Sequence, residues 1–197
     1  MKLNKLSSLV LAAVAVLAVA CANQMQPAQS ALDGLGNAMT AAESAGASKY
    51  VPDQFRIVQA KVTELKAAFD KKDYAAVLKD APAVLTAAQN LVGAAAMKKD
   101  EVVKAASAEW TTLVAAVPQL VGAVKSRVDV LGKSKHLPAG VDLAAAKSGL
   151  ADATSLWEKA QAAFTGGNVE DAVNAAKATK AKAEAAAAAL KLTLPGA

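Results

Sequence analysis

The residue with the most distinctive chemistry is Cys21, the only cysteine in a chain of 197 residues. What makes it distinctive is its setting. Lys2 and Lys5 give the first five residues positive charge, residues 6–20 are an apolar run, and the small residues Ala18, Val19 and Ala20 stand directly before the thiol. This is the layout of a secretory signal, with a cationic start, an apolar middle and a small-residue cleavage point. The run is short for a membrane span, which needs about 20 apolar residues. With one cysteine there can be no intramolecular disulfide, and an unpaired thiol in an exported protein calls for a specific use. Two readings remain open at this point. Ala18-Val19-Ala20 can be an ordinary Ala-x-Ala cleavage site that releases a soluble chain with a free terminal thiol. Alternatively, Cys21 is itself the modified residue.

The five residues LAVAC (17–21) resemble the bacterial lipobox, in which small residues precede a cysteine. Ala18 stands where the lipobox favours leucine, and Leu17 is one place further back. The resemblance implies that a diacylglycerol is attached to the Cys21 thiol, that the signal is cut before it, and that the new amine is acylated. Two or more acyl chains give stable anchoring where a single chain is marginal. Ala22 follows Cys21, rather than the aspartate of inner-membrane retention, so the resemblance implies the outer membrane on its periplasmic face. The expected organisation is a signal peptide over 1–20, a lipidated tether over 21–30 and one helical-bundle domain over 31–197.

Other residue types that do chemistry are sparse or explained by helix ends. His136 is the only histidine and sits among Lys133, Lys135 and Pro138, as in a solvated loop. A histidine metal site or a Ser-His-Asp arrangement would depend on it alone. Asp100-Glu101 and Glu170-Asp171 are paired acids, and both are expected at helix starts, where capping and the dipole favour them. Gly166-Gly167 reads as a helix stop rather than a phosphate loop. Trp110 and Trp157 fall on apolar stripes and are expected as core anchors. Lys125, Arg127, Lys133, Lys135 and His136 form one basic cluster, read as a solvated helix end. No catalytic residue, cofactor or metal is expected.

The elements that must carry these residues are helices. Apolar residues make up 54% of the chain but aromatics only 4%, so alanine fills much of the apolar share. Alanine is the strongest helix former and buries little area, which favours helices packed closely over a thin core. The formal charge is +5, and about +3 once Lys2 and Lys5 leave with the signal, too small a bias to argue for nucleic acid. The fold class expected is all-α, a bundle of about five to six long Ala-rich helices.

Residues 22–30 are polar with Pro27 inside and read as a flexible tether. Residues 31–45 carry Leu32, Leu35 and Met39 at helical spacing, with Gly46 placed to end the helix. Pro52 and Asp53 suit a helix start. Phe55, Val58, Val62, Leu65 and Phe69 then step by 3 and 4 along one face. Asp73 is a good N-cap for a second helix, with Pro82 expected to kink it or to sit in its first part. Residues 97–100 read as a break. A near-heptad run follows, Val103, Ala106, Trp110, Leu113, Val117, Leu120, Val124, Val128 and Leu131, with Pro118 expected to bend or split it. Pro138 is expected to open the next helix, Gly166-Gly167 to stop it, and Asn168 to cap a last helix over 169–192. The framework is thus two hairpins, 52–96 and 138–192, joined by a helical segment over 100–131.

The hairpins align at a shift of 95 residues: Phe55 on Leu150, Val58 on Ala153, Val62 on Trp157, Leu65 on Ala160, Phe69 on Phe164, and Lys72-Asp73-Tyr74 on Gly167-Asn168-Val169. A duplicated hairpin and a generic likeness of capped amphipathic hairpins both fit. Within residues 41–88, AAESAGASKYVPDQF and AAFDKKDYAAV resemble an uncharacterised family of bacterial lipoproteins with a Tyr-Val-Pro helix start and an Asp-Tyr turn. That resemblance implies a helical envelope protein.

The function expected is a non-enzymatic scaffold or interaction protein of the envelope. Its partners would be the membrane, through the lipid, and another envelope protein or polymer. The alternative is a periplasmic carrier of a small apolar ligand or lipid in a cavity between helices. The heptad run also fits a seam between copies, and the oligomeric state stays open.

Overall fold

The computed structural model describes the backbone of residues 4–193 and the side chains of residues 24–193. Among the described residues there are six helices and no strand: α1 (Asn4–Ser44), α2 (Ala47–Tyr50), α3 (Pro52–Asp70), α4 (Tyr74–Gly132), α5 (Leu143–Thr165) and α6 (Val169–Ala189). The all-α bundle is therefore the fold. The stretch expected as one bundle divides into two compact units, Met1–Asp100 and Glu101–Ala197, with the boundary inside α4.

In the first unit α1, α3 and the first half of α4 share one core. Ala28, Leu32, Leu35 and Ala42 come from α1, Val58, Val62 and Leu65 from α3, and Tyr74, Val77, Ala81, Val84, Ala88, Leu91 and Ala95 from α4. The α3 stripe lies where its 3-4 spacing puts it, with Pro52 in the first turn and Asp53 beside it. Gly46 turns the chain between α1 and α2 at φ +81, and a Cβ there would meet the Tyr50 ring at 3.0 Å, so only glycine fits.

In the second unit the later half of α4 packs on α5 and α6. One end of its core joins Trp110, Leu113 and Val117 to Ala160, Ala172, Val173 and Ala176. The other joins Val124, Val128 and Leu131 to Ala146, Ala186, Ala187 and Leu190. The near-heptad stripe is thus spent inside this unit, against its own hairpin. Gly149 lets α5 and α6 approach closely, since a Cβ there would lie 3.2 Å from the Ala186 Cβ.

The two hairpins turn in the same way. Lys71, Lys72 and Asp73 donate their backbone N–H groups to Ala67, Phe69 and Ala68. Gly166, Gly167 and Asn168 donate to Ala162, Phe164 and Ala163, each partner shifted by the same 95 residues. The left-handed residue falls at matching positions, Lys72 at φ 64 and Gly167 at φ 81. Buried pairs follow the shift as well: Val58 with Ala153, Leu65 with Ala160, Val77 with Ala172, Ala81 with Ala176, Ala88 with Ala183 and Leu91 with Ala186. The likeness extends beyond amphipathic spacing to backbone geometry.

Four expectations are corrected. Residues 24–30, read as tether, belong to α1, and Ala28 is fully buried. One small residue inside a polar stretch holds the phase of the Leu32–Leu35 stripe. The break at 97–100 is absent, because α4 runs through it. That stretch has no glycine or proline, and Lys, Asp and Glu are compatible with a helix interior. Only burial lapses there, residues 96–101 being exposed. The segment 100–131 is accordingly not a separate element. Pro118 does not split α4, which runs on through it, while Pro82 sits in the first part of the same helix. Both are exposed, so the carbonyls they deprive of a partner can be hydrated. Finally, α5 opens at Leu143 rather than Pro138, with Asp142 Oδ1 accepting from the Ala145 N–H at 2.9 Å.

The two hairpin caps differ, which gives a direct test. Asp73 Oδ1 accepts from the Ala76 N–H at 3.1 Å, whereas the Asn168 side chain makes no cap bond. Asp73→Ala is expected to lower stability by about 1 kcal/mol, and Asn168→Ala by less than about 0.5 kcal/mol, read as shifts in urea midpoint. Gly149→Leu, which wedges α5 from α6, is expected to cost about 1–3 kcal/mol in the same measurement.

Candidate functional site

Cys21, the lipidation candidate, lies outside the residues whose side chains are described, as does the signal stretch 1–20. What the structure describes is the chain that follows. Residues 24–27 are exposed, Met25 among them, and Ala28 is the first residue in the core of the first unit. Six residues separate Cys21 from that core. The groove beside this start is lined by Gln29, Leu32, Asp33, Gly36 and Asn37 of α1 and by Lys66, Phe69 and Asp70 of α3. The end of α3 and its turn into α4 therefore stand at the same end of the unit as the start of the described α1 side chains. Lys71 and Lys72 are exposed there, and the Phe69 and Tyr74 rings meet edge to face at 5.1 Å beneath them.

The second unit carries the other concentration of large side chains. Trp110 is sandwiched between Trp157, at 5.7 Å, and Phe164, at 4.6 Å, both nearly parallel to it. Trp110 is buried at 6% exposure, Trp157 is half-buried and Phe164 is 42% exposed. Trp110 is thus a core anchor as expected, whereas the stack reaches the surface through Phe164. Trp110 comes from α4, Trp157 and Phe164 from α5 at a spacing of seven, which puts the two on one helix face. That stack is not visible in the spacing of either helix alone.

The remaining candidates are not brought together. His136 is exposed in the loop after α4. Lys125, Lys133 and Lys135 are exposed, and Arg127 is half-buried with its Nε lacking a hydrogen-bond partner, for which the fold offers no explanation. Glu170 and Asp171 occupy the first turn of α6, as the dipole favours. Asp100-Glu101 lies mid-helix in α4, so helix-start capping does not account for it. Gly167 is the left-handed stop expected.

Hydroxyls that might serve as nucleophiles are instead used locally. Thr40, Ser44, Thr63, Ser107, Thr154 and the buried Thr179 each donate to the carbonyl four residues back. Charged side chains pair across helix surfaces, Lys177 with Glu109 at 2.7 Å and Lys182 with Asp152 at 2.9 Å. All four are about half exposed, so each pair contributes about 1 kcal/mol or less. Among the described residues no group of His, Cys, Asp and Glu side chains is placed to hold a metal ion. No helix in the same set is long and apolar enough to cross a membrane.

The two tryptophans make the aromatic stack measurable. With Trp157→Phe, the remaining Trp110 should emit at the wavelength of a buried indole. With Trp110→Phe, Trp157 should emit further to the red. Trp110→Ala is expected to destabilise the second unit by about 3–5 kcal/mol, read by thermal or urea unfolding.

No protein-family model matches the chain, and neither a curated protein nor a solved structure is found similar to it.

Proposed function

We propose that the protein is a bacterial lipoprotein, cut before Cys21 and held by acyl chains on the periplasmic face of the outer membrane. There its helical units act as a non-enzymatic scaffold for another envelope protein or polymer. The observation that carries this reading is the order of residues 2–21: cationic start, apolar run, small residues, then the one cysteine. The thiol stands where a cut would make it the first residue, so lipid and protein would be joined at the chain's end.

The character of the described surface supports the scaffold part. Hydroxyls bond back to their own helices, and charged residues pair between helices or face solvent. Cores built mostly from alanine, valine and leucine pack two similar hairpins. Such units present fixed helix faces, which suits recognition by shape more than chemistry on a bound substrate.

The test is fractionation of full-length protein made in a Gram-negative host. The wild type is expected to enter the detergent phase and to sediment with outer membranes, while Cys21→Ser stays with its signal uncut or remains in the aqueous phase. Equal recovery of the two chains with outer membranes would overturn the proposal.

A further inference from the structure

The turn joining α3 to α4 lies at the end of the first unit from which the chain leads back to Cys21. We infer that this turn, with Lys71 and Lys72 at its tip, is a membrane-apposed face that meets the phosphates of an anionic phospholipid surface. The inference rests on the lipoprotein reading and adds a direction to it.

Geometry sets the distance. Cys21 and Ala28 are seven residues apart, so helical backbone places them ~10 Å from each other, and even a fully extended chain spans no more than ~24 Å. Ala28 is fully buried in the first unit, so no slack follows it. The short tether expected over 21–30 gives way to helix from Gln24 on, and the folded unit begins at the headgroups. The opposite end of the unit, where α1 gives way to α2, is sixteen residues further along α1, ~24 Å away at helical rise. That exceeds the Debye length of about 8 Å at physiological ionic strength, so charges at the two ends sense the surface very differently.

The placement of side chains at the near end agrees. Met25 is 49% exposed although apolar, four residues from the anchor. Lys66, Lys71 and Lys72 are exposed. The acids here are Asp33, Asp70 and Asp73. They equal the three lysines in number, and what favours the phosphates is position: Lys71 and Lys72 occupy the turn itself, whereas Asp33 and Asp70 lie within α1 and α3. Lys72 also holds the left-handed position at φ 64, filled by glycine in the matching turn of the second unit.

The experiment uses the full chain, purified after acylation, with one fluorophore attached by maleimide at Lys71→Cys or at Ser48→Cys. Ser48 is exposed at the opposite end of the unit. Both proteins are reconstituted into phosphatidylethanolamine–phosphatidylglycerol vesicles carrying a nitroxide on the headgroup. Quenching is expected to be at least threefold stronger at Lys71→Cys, and to weaken there when phosphatidylcholine replaces the phosphatidylglycerol. Equal quenching at the two sites, or stronger quenching at Ser48→Cys, in acylated protein overturns this inference alone. Strong quenching at Lys71→Cys that is indifferent to phosphatidylglycerol overturns the part given to the lysines. A protein that takes a second fluorophore at Cys21, showing a free thiol, overturns the lipoprotein reading, and the inference falls with it.

Discussion

Close approach of helices through small side chains is the constraint on which this structure rests. Ala146, Ala153, Ala160, Ala172, Ala176 and Ala183 are all fully buried, at spacings of seven or four along α5 and α6. Each contributes little apolar area, so cohesion depends on how near the backbones come. Gly149 against Ala186 shows the limit of that approach. Such a core gains helix propensity at every buried alanine, but it tolerates no added bulk. The first unit relieves the constraint with larger residues at matching positions, Val77 for Ala172 and Leu91 for Ala186. The second relies on Trp110 to fill the space that alanines leave at its turn end.

The same turn serves both hairpins with different chemistry. In the second unit Gly167 takes the left-handed position without steric cost. In the first, Lys72 takes it, and Asp73 supplies the cap bond that Asn168 does not make. The two turns thus share backbone geometry and differ in the side chains at the tip, glycine and asparagine in one, lysine and aspartate in the other. The charged version belongs to the unit that follows the proposed anchor.

Much of this architecture was legible in the residues. The 3-4 stripes of α3, α5 and the second half of α4 all face cores, and both hairpin turns fall where Asp73 and Gly166-Gly167 indicated. Hidden features share a physical cause: they depend on a neighbour rather than on local pattern. Ala28 carries no hydrophobic signal by itself, yet it is buried because α3 and α4 cover it. Charged residues 98–101 resemble a break in hydropathy, but nothing in their backbone chemistry interrupts a helix. Asp142 caps α5 four residues after Pro138, the more conspicuous signal. The anchor candidate Cys21 needed only linear sequence. The lysine turn at the same end of the unit emerged only once α1 and α3 were set side by side.

The proposed anchor and the fold meet at residues 21–28, so the covalent state of Cys21 governs everything proposed for this protein. Intact mass of the chain recovered from a Gram-negative host reads that state directly. The account predicts a mass equal to residues 21–197 plus a diacylglyceryl group and one further acyl chain. A mass equal to the unmodified 21–197 chain, or to the whole sequence from Met1, would contradict it.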